Sequence, residues 1–286
     1  MSLELAVAPC GPYSLALSAR TTSDATRTFR DGLVTQALAV GDRIELARAW
    51  QSPSGTVTIR ADSDSAAERL RWLLALDDDH SPFLLSVRDD PMLGRAAREL
   101  RGLRPVRVAT VAQSLLRAFC GQLIEAKRAR QLEQTIIRRL CRRGPENLHV
   151  APATRDLAAL APSQLRALGL HARRGAALVR LCRSIDLERL HDRSTEAIVR
   201  RLARERGLGP WSIGVVCLEG LGRWDHGLVG DLGLVKLLRA IRGRPVDGWE
   251  TAELLAPYGE FAGIASVYML AGYGRGLLSF DAVKAA

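Results

Sequence analysis

The chain has 286 residues, 47% of them hydrophobic, and a formal net charge of +10. That length holds one large domain or two ordinary ones, and that apolar fraction excludes a wholly disordered chain. The charge favours a polyanionic partner, but arginine supplies nearly all of it (lysine stands only at Lys127, Lys236 and Lys284), and an arginine-rich composition alone identifies no partner.

Four segments near the N-terminus alternate as strands do: Tyr13 to Ser18, Gly32 to Val40, Asp42 to Trp50 and Thr56 to Arg60. Arg30-Asp31-Gly32, Gly41-Asp42 and Ser52-Pro53-Ser54-Gly55 supply the turns between them, which predicts an antiparallel sheet. Ser63 stands where a helix cap belongs, ahead of Ala66, Leu70, Leu73 and Leu74, and a second helix is predicted from Pro91 to Leu100. The Leu103-Arg104-Pro105-Val106 stretch marks a boundary, because proline disfavours helix in the residue before it.

Beyond it the period is helical throughout. Helices are predicted at Thr110–Cys120 and Gln122–Arg142, meeting at Gly121, then from Pro162, over Arg173–Ile185, and from Ser194 to near Gly207. Others follow at Trp211–Gly220, at Leu232–Ile241 with Asp231 as cap, and at Tyr258–Ala271. The fold class is therefore α+β: a small antiparallel sheet domain with helices over 1–102, then an all-α domain over 103–280.

The five cysteines, at 10, 120, 141, 182 and 217, have no CxxC spacing, and the five histidines have no metal-ligand spacing, so no metal site is expected. No apolar run is uninterrupted for a membrane-spanning length and no leader opens the chain, so a reducing, cytoplasmic setting is expected.

Chemistry concentrates between residues 204 and 238. Gly207-Leu208-Gly209 reads as a tight turn between two helices, and Pro210-Trp211 opens the second. Such a turn leaves backbone N–H groups at a helix N-terminus, which suits an anion and, in a basic chain, a nucleic-acid phosphate. Asp231 follows on a glycine-bracketed turn, where a plain helix cap and a catalytic carboxylate are both open readings.

Three stretches together resemble the helix-hairpin-helix DNA glycosylases, in the 3-methyladenine DNA glycosylase II branch: Phe119-Cys-Gly-Gln-Leu-Ile-Glu-Ala-Lys-Arg-Ala, Gly207-Leu-Gly-Pro-Trp-Ser and Val229-Gly-Asp-Leu-Gly-Leu. The resemblance covers Leu103 to Leu278 and extends weakly to the N-terminal strands. It implies a monofunctional enzyme that excises alkylated purines from double-stranded DNA by base flipping, as a monomer in the bacterial cytoplasm, without an organic cofactor. Asp231 would be the catalytic carboxylate. Trp211 stands where lyase-type relatives carry a nucleophilic lysine, and with Tyr258 it would line the base pocket.

Leu123 would fill the gap left by the extruded nucleotide, and Gln122 would touch the remaining stack. Gly207, Leu208 and Gly209 would grip a phosphate, with a monovalent cation bound through hairpin carbonyls as relatives often have. Arg173-Arg174, Lys127-Arg128 and Arg142-Arg143 are candidate backbone contacts. Val215 departs from the tyrosine of the relative used for comparison, which leaves the substrate range open. A glycosylase for deaminated or oxidised bases and a non-catalytic DNA-binding protein are the competing readings.

Overall fold

The computed structural model describes residues 3–280. Strands β1 (Leu3–Val7), β2 (Arg27–Arg30), β3 (Leu33–Val40), β4 (Arg43–Gln51) and β5 (Val57–Ala61) form one antiparallel sheet in the order β1-β5-β4-β3-β2. Asp31 and Gly32 join β2 to β3 with φ of 50° and 78°, the twisted two-residue turn that matches the twist of paired strands. The strands predicted from residues 32, 42 and 56 onward are β3, β4 and β5.

The strand expected at Tyr13–Ser18 is instead helix α1 (Leu15–Ala19). Ser14 accepts the Leu17 N–H at 3.2 Å, and Leu15, Ser18 and Ala19 bury one helical face, a period the short stretch satisfies as well as alternation. β1 and β2 lie outside the predicted strands. β2 is four residues long and buries Arg27, so it shows no apolar alternation.

Helix α2 (Asp64–Leu73), capped by Ser63 as predicted, lays Ala66, Ala67, Leu70, Leu73 and neighbouring Leu74 against Val34, Ala47, Ala49, Val57, Ile59 and Ala61 of the sheet. Helices α3 (Ser81–Ser86) and α4 (Gly94–Glu99) follow. The helix predicted from Pro91 starts only at Gly94, because the Asp90 carboxylate turns the chain by accepting the Met92 and Leu93 N–H groups.

The remaining helices are α5 (Val111–Gly121), α6 (Ala126–Leu140), α7 (Thr154–Ala158), α8 (Pro162–Ala167), α9 (Ala172–Ser184), α10 (Thr195–Leu202), α11 (Pro210–Val215), α12 (Leu232–Arg242), α13 (Thr251–Leu255) and α14 (Ala262–Tyr273). Thr110, Ser194 and Asp231 cap α5, α10 and α12 with their side chains, Asp231 as the predicted cap and the other two at the predicted helix starts. Four boundaries differ from expectation: α10, predicted to run to near Gly207, ends at Leu202, where the chain passes into the turns that lead to the hairpin, and three others shift as well. Gln122–Glu125 is a non-helical corner between α5 and α6, α11 gives way to a wider turn at Val216–Gly220, and α14 begins at Ala262 after a break at Gly259 (φ 47°).

Two apolar cores flank α5 and α11. One is built largely from α5 to α10, including Leu115, Phe119, Leu178, Ile198 and Ile213. The other joins Phe83, Leu93 and Leu100 to Leu234, Leu237, Ile264 and Tyr268, and takes Ala118 and Val215 from the shared helices. The second core thus draws on residues from both sides of Leu103. The segment Gly248–Tyr273 is long and apolar enough by composition to cross a membrane, but here it is a succession of short helices that supplies this core.

Buried charge ties the sheet to the helices. Arg117 on α5 pairs with Asp24 at 2.8 Å, Glu133 at 3.0 Å and Glu219 at 2.6 Å, and Arg27 donates to the Arg107 carbonyl at 2.9 Å. Removing Arg117 would leave the buried carboxylates of Asp24 and Glu133 without their partner, which costs about 3–5 kcal/mol.

Candidate active site

The ends of α5, α11 and α12 meet at the seam between the two helical cores. Gly207 has φ 101°, a conformation that favours glycine, and reverses the chain after α10. Gly209 and Pro210 then start α11, so that Trp211 lies in its first turn. The Gly209, Trp211 and Ser212 N–H groups find no acceptor among the described residues. Gly207 and Gly209 are exposed, and a Cβ on Gly209 would meet nothing within 4 Å, so the hairpin is open to an approaching group. The Leu208 side chain is buried in the first core and anchors the turn.

Asp231 caps α12. Its Oδ1 accepts the Gly233 N–H at 2.7 Å and the Leu234 N–H at 3.4 Å, while its Oδ2 accepts the indole N–H of Trp211 at 2.9 Å. The two residues singled out for chemistry are therefore in direct contact. The far edge of the Trp211 ring lies over Gly121, where a Cβ would come within 2.5 Å of Cη2. A side chain at position 121 would push the indole away from Asp231. Both edges of the ring are thus engaged. Trp211 packs on the second core yet stays half-buried.

The Gln122–Glu125 corner continues from Gly121. Leu123 is 86% exposed and has φ 57°, a backbone conformation that leucine rarely adopts. It belongs to neither core. Gln122 points elsewhere than expected: its amide donates to the Gly207 carbonyl at 2.8 Å and to Ser212 Oγ at 3.0 Å. It bridges the corner to the hairpin instead of standing free to meet a base, because those two acceptors lie within reach. Behind Asp231, Thr251 Oγ1 accepts the Gly230 N–H at 2.7 Å and donates to the Gly248 carbonyl at 2.7 Å.

Tyr258 does not join this group. It lines a cavity of about 800 Å³ with Asp90, Met92, Leu238, Arg242 and Leu254, toward the end of α12 opposite Asp231. Its hydroxyl donates to Asp90 Oδ2 at 3.1 Å, and burial, reinforced by that carboxylate, raises the phenol well above its usual range. Neither Trp211 nor Asp231 lines the cavity. Of the candidate backbone contacts, Arg142 donates to the Asp42 carbonyl and Arg143 to Asn147, whereas Lys127, Arg128 and Arg173 are exposed. No cluster of metal-ligating side chains occurs among the described residues.

Gly121, Ser212 and Thr251 shape the site and were not singled out from the sequence. The helix break at Gly121 was a usable signal for the first. The other two act on residues 90 and 21 positions away in sequence, which no local pattern reveals.

No family model matches the chain. The DNA-3-methyladenine glycosylase of Bacillus subtilis (strain 168) is 24% identical over 205 residues, covering 68% of this chain and 67% of that protein. Among solved structures, the 3-methyladenine DNA-glycosylase from Archaeoglobus fulgidus superposes with a TM-score of 0.82 at 17% identity, covering 94% of this chain and 97% of that one. The 8-oxoguanine glycosylase/lyase of Clostridium acetobutylicum, in complex with double-stranded DNA, gives 0.76 at 14% identity, covering 96% and 98%. A helical molecule with a small antiparallel sheet and a hairpin beside a capping aspartate is the class that fold and site define. More particularly, the chain shares its fold with solved 3-methyladenine and 8-oxoguanine DNA glycosylases, in line with the resemblance seen in the sequence.

Proposed function

We propose that this chain is a DNA glycosylase that draws a damaged base out of the duplex and hydrolyses its N-glycosidic bond. The observation that carries the reading is the Trp211–Asp231 hydrogen bond beside an open hairpin. Breaking the bond builds positive charge on the deoxyribose. A carboxylate fixed through both oxygens needs no rearrangement to stabilise that charge or to orient a water, and this preorganisation is where such sites gain most. The similarity to a glycosylase and to structures solved on DNA supports the same reading.

The finer reading is a monofunctional enzyme for alkylated purines. The ring at position 211 cannot attack the sugar as an amine would, so the product is an abasic site with an intact strand. An indole face attracts a cationic base by about 0.5–2 kcal/mol, and a cationic base leaves without a strong general acid. The hairpin N–H groups hold a phosphate of the same strand, and Leu123 occupies the gap in the stack. The likeness to an 8-oxoguanine glycosylase/lyase favours oxidised bases as the second reading.

A panel of duplexes carrying 3-methyladenine, 7-methylguanine, hypoxanthine or 8-oxoguanine, scored for released base and for strand cleavage before and after alkali, tests both. Release of methylated bases with alkali-dependent cleavage is the expected result. Release of 8-oxoguanine alone overturns the alkylation reading, and spontaneous strand cleavage overturns the monofunctional one.

A further inference from the structure

The exposed large apolar side chains among the described residues are Leu85, Leu123, Leu232 and Trp249. Leu232 follows Asp231 directly, and Leu123 lies two residues past the glycine that seats Trp211. Trp249 is 18 residues from Asp231 in sequence but sits on a separate turn, Gly248–Glu250, that packs against the turn of Gly230 and Asp231. Thr251 bridges the Gly230 N–H to the Gly248 carbonyl, and a Cβ on Gly248 would lie 3.4 Å from the Gly230 Cα.

The turn that carries Trp249 is fixed from below. Glu250 pairs with Arg242 at 2.5 Å and with Arg244 at 2.6 Å, and it accepts the Asp247 N–H at 2.7 Å. An indole 65% exposed on so constrained a turn is not the slack of a frayed loop. Leaving most of that ring in water forgoes the stabilisation its burial would bring. The adjoining helix α12 exposes Lys236 and Arg239, Asp247 and Glu253 are exposed beside Trp249, and the chain as a whole carries +10, so it is the molecule's overall charge that suits a polyanion. A flat aromatic face beside the hairpin and Asp231, on a molecule of net charge +10, matches one ligand chemistry, a nucleobase on a phosphate backbone.

We propose that Trp249 is an outer stacking platform for a nucleobase that has left the duplex, at the rim of the Trp211–Asp231 site. The proposal rests on the reading of the chain as a protein that acts on DNA, and it adds a contact that the resemblance does not supply. Stacking tolerates any base, so the platform serves capture of an extruded nucleotide and not choice of lesion.

The test is binding, by fluorescence anisotropy, of a short undamaged duplex with one unpaired adenine and of its fully paired counterpart. Wild-type protein is expected to prefer the duplex with the unpaired base. Trp249→Ala and Trp249→Leu are expected to lose about fivefold or more of that preference, Trp249→Phe to keep most of it, and Leu85→Ala to keep all of it. Trp249→Leu retains apolar bulk, so its loss identifies the aromatic face even if Trp249→Ala melts lower. No preference in the wild type, an unchanged preference in Trp249→Leu, or wild-type self-association that Trp249→Leu abolishes overturns the proposal. A protein that releases no base from any lesion but loses the preference on Trp249→Leu keeps the platform and removes the glycosylase reading. An active glycosylase whose preference survives Trp249→Leu removes the platform alone.

Discussion

The indole N–H of Trp211 donates to Oδ2 of Asp231 across 2.9 Å, while Oδ1 of the same carboxylate caps α12. One side chain thus closes a helix end and positions an aromatic ring contributed by another helix. The cap and the catalytic role are compatible because they use different oxygens.

Asp231→Asn retains a good cap, since asparagine caps helices about as well as aspartate, but it removes the negative charge. Base release is expected to fall at least about 100-fold while duplex affinity holds. Asp231→Ala is expected to lose the same activity and also about 1 kcal/mol of cap energy, a drop in Tm of about 2 °C. Single-turnover kinetics with calorimetry separates the two, and an active Asp231→Asn protein would refute the catalytic assignment.

Trp211→Phe keeps a ring and deletes the N–H. A hydrogen bond to a charged acceptor is worth about 1.5–3 kcal/mol, so the freed carboxylate is expected to slow base release about tenfold or more. A preference for cationic over neutral bases should survive in Trp211→Phe and vanish in Trp211→Leu, which has no π face. Competition between methylated and deaminated duplexes reads this directly.

Leu123 provides a prediction in which stability and activity move in opposite directions. The left-handed conformation costs a non-glycine residue roughly 1–2 kcal/mol, and glycine in the unfolded chain gives back part of that difference. The side chain, 86% exposed, contributes little burial. Leu123→Gly is therefore expected to raise Tm slightly while slowing excision from paired duplexes about tenfold, with excision of an already unpaired lesion spared. Equal slowing on both substrates would remove the wedge role. Gln122→Ala, which frees the corner from Gly207 and Ser212, is expected to show the same substrate split without the gain in Tm.

His80 makes stability depend on pH. Burial, and then the neighbouring Arg104, push its imidazole down to about 4, and Arg104 Nε donates to its Nδ1 at 3.3 Å. The folded value lies below the unfolded one, so the unfolded chain takes up the proton first as pH falls. The neutral imidazole's contribution is complete above about pH 6.5 and is lost as pH drops from there toward 4, by up to roughly 3 kcal/mol. Urea midpoints across that range are expected to fall for the wild type and to fall less for His80→Gln. Parallel curves would mean that His80 is not the group responsible.

Much of this architecture was legible from nearest neighbours in the chain. The Asp31-Gly32 turn, the caps at Ser63 and Asp231, the helix starts at Thr110 and Ser194, and the reversal at Gly207 follow from backbone conformation and hydrogen bonds closed within a few residues. Those interactions form wherever the sequence places them. The helix at Leu15–Ala19 escaped because five residues satisfy a helical and a strand period equally well.

From the order of residues alone came the candidates for chemistry, Asp231 and Trp211, and the bend at the Gly207 hairpin, whereas the corner at Leu123 lay inside a predicted helix. Which of these side chains meet was settled by long-range packing. It put Trp211 on Asp231, turned Gln122 to the hairpin, carried Tyr258 away to Asp90, and mounted Trp249 beside the Asp231 turn. The reason is physical: a cap or a turn is a short-range equilibrium, whereas these contacts exist only where packing of the two helical cores brings distant segments together.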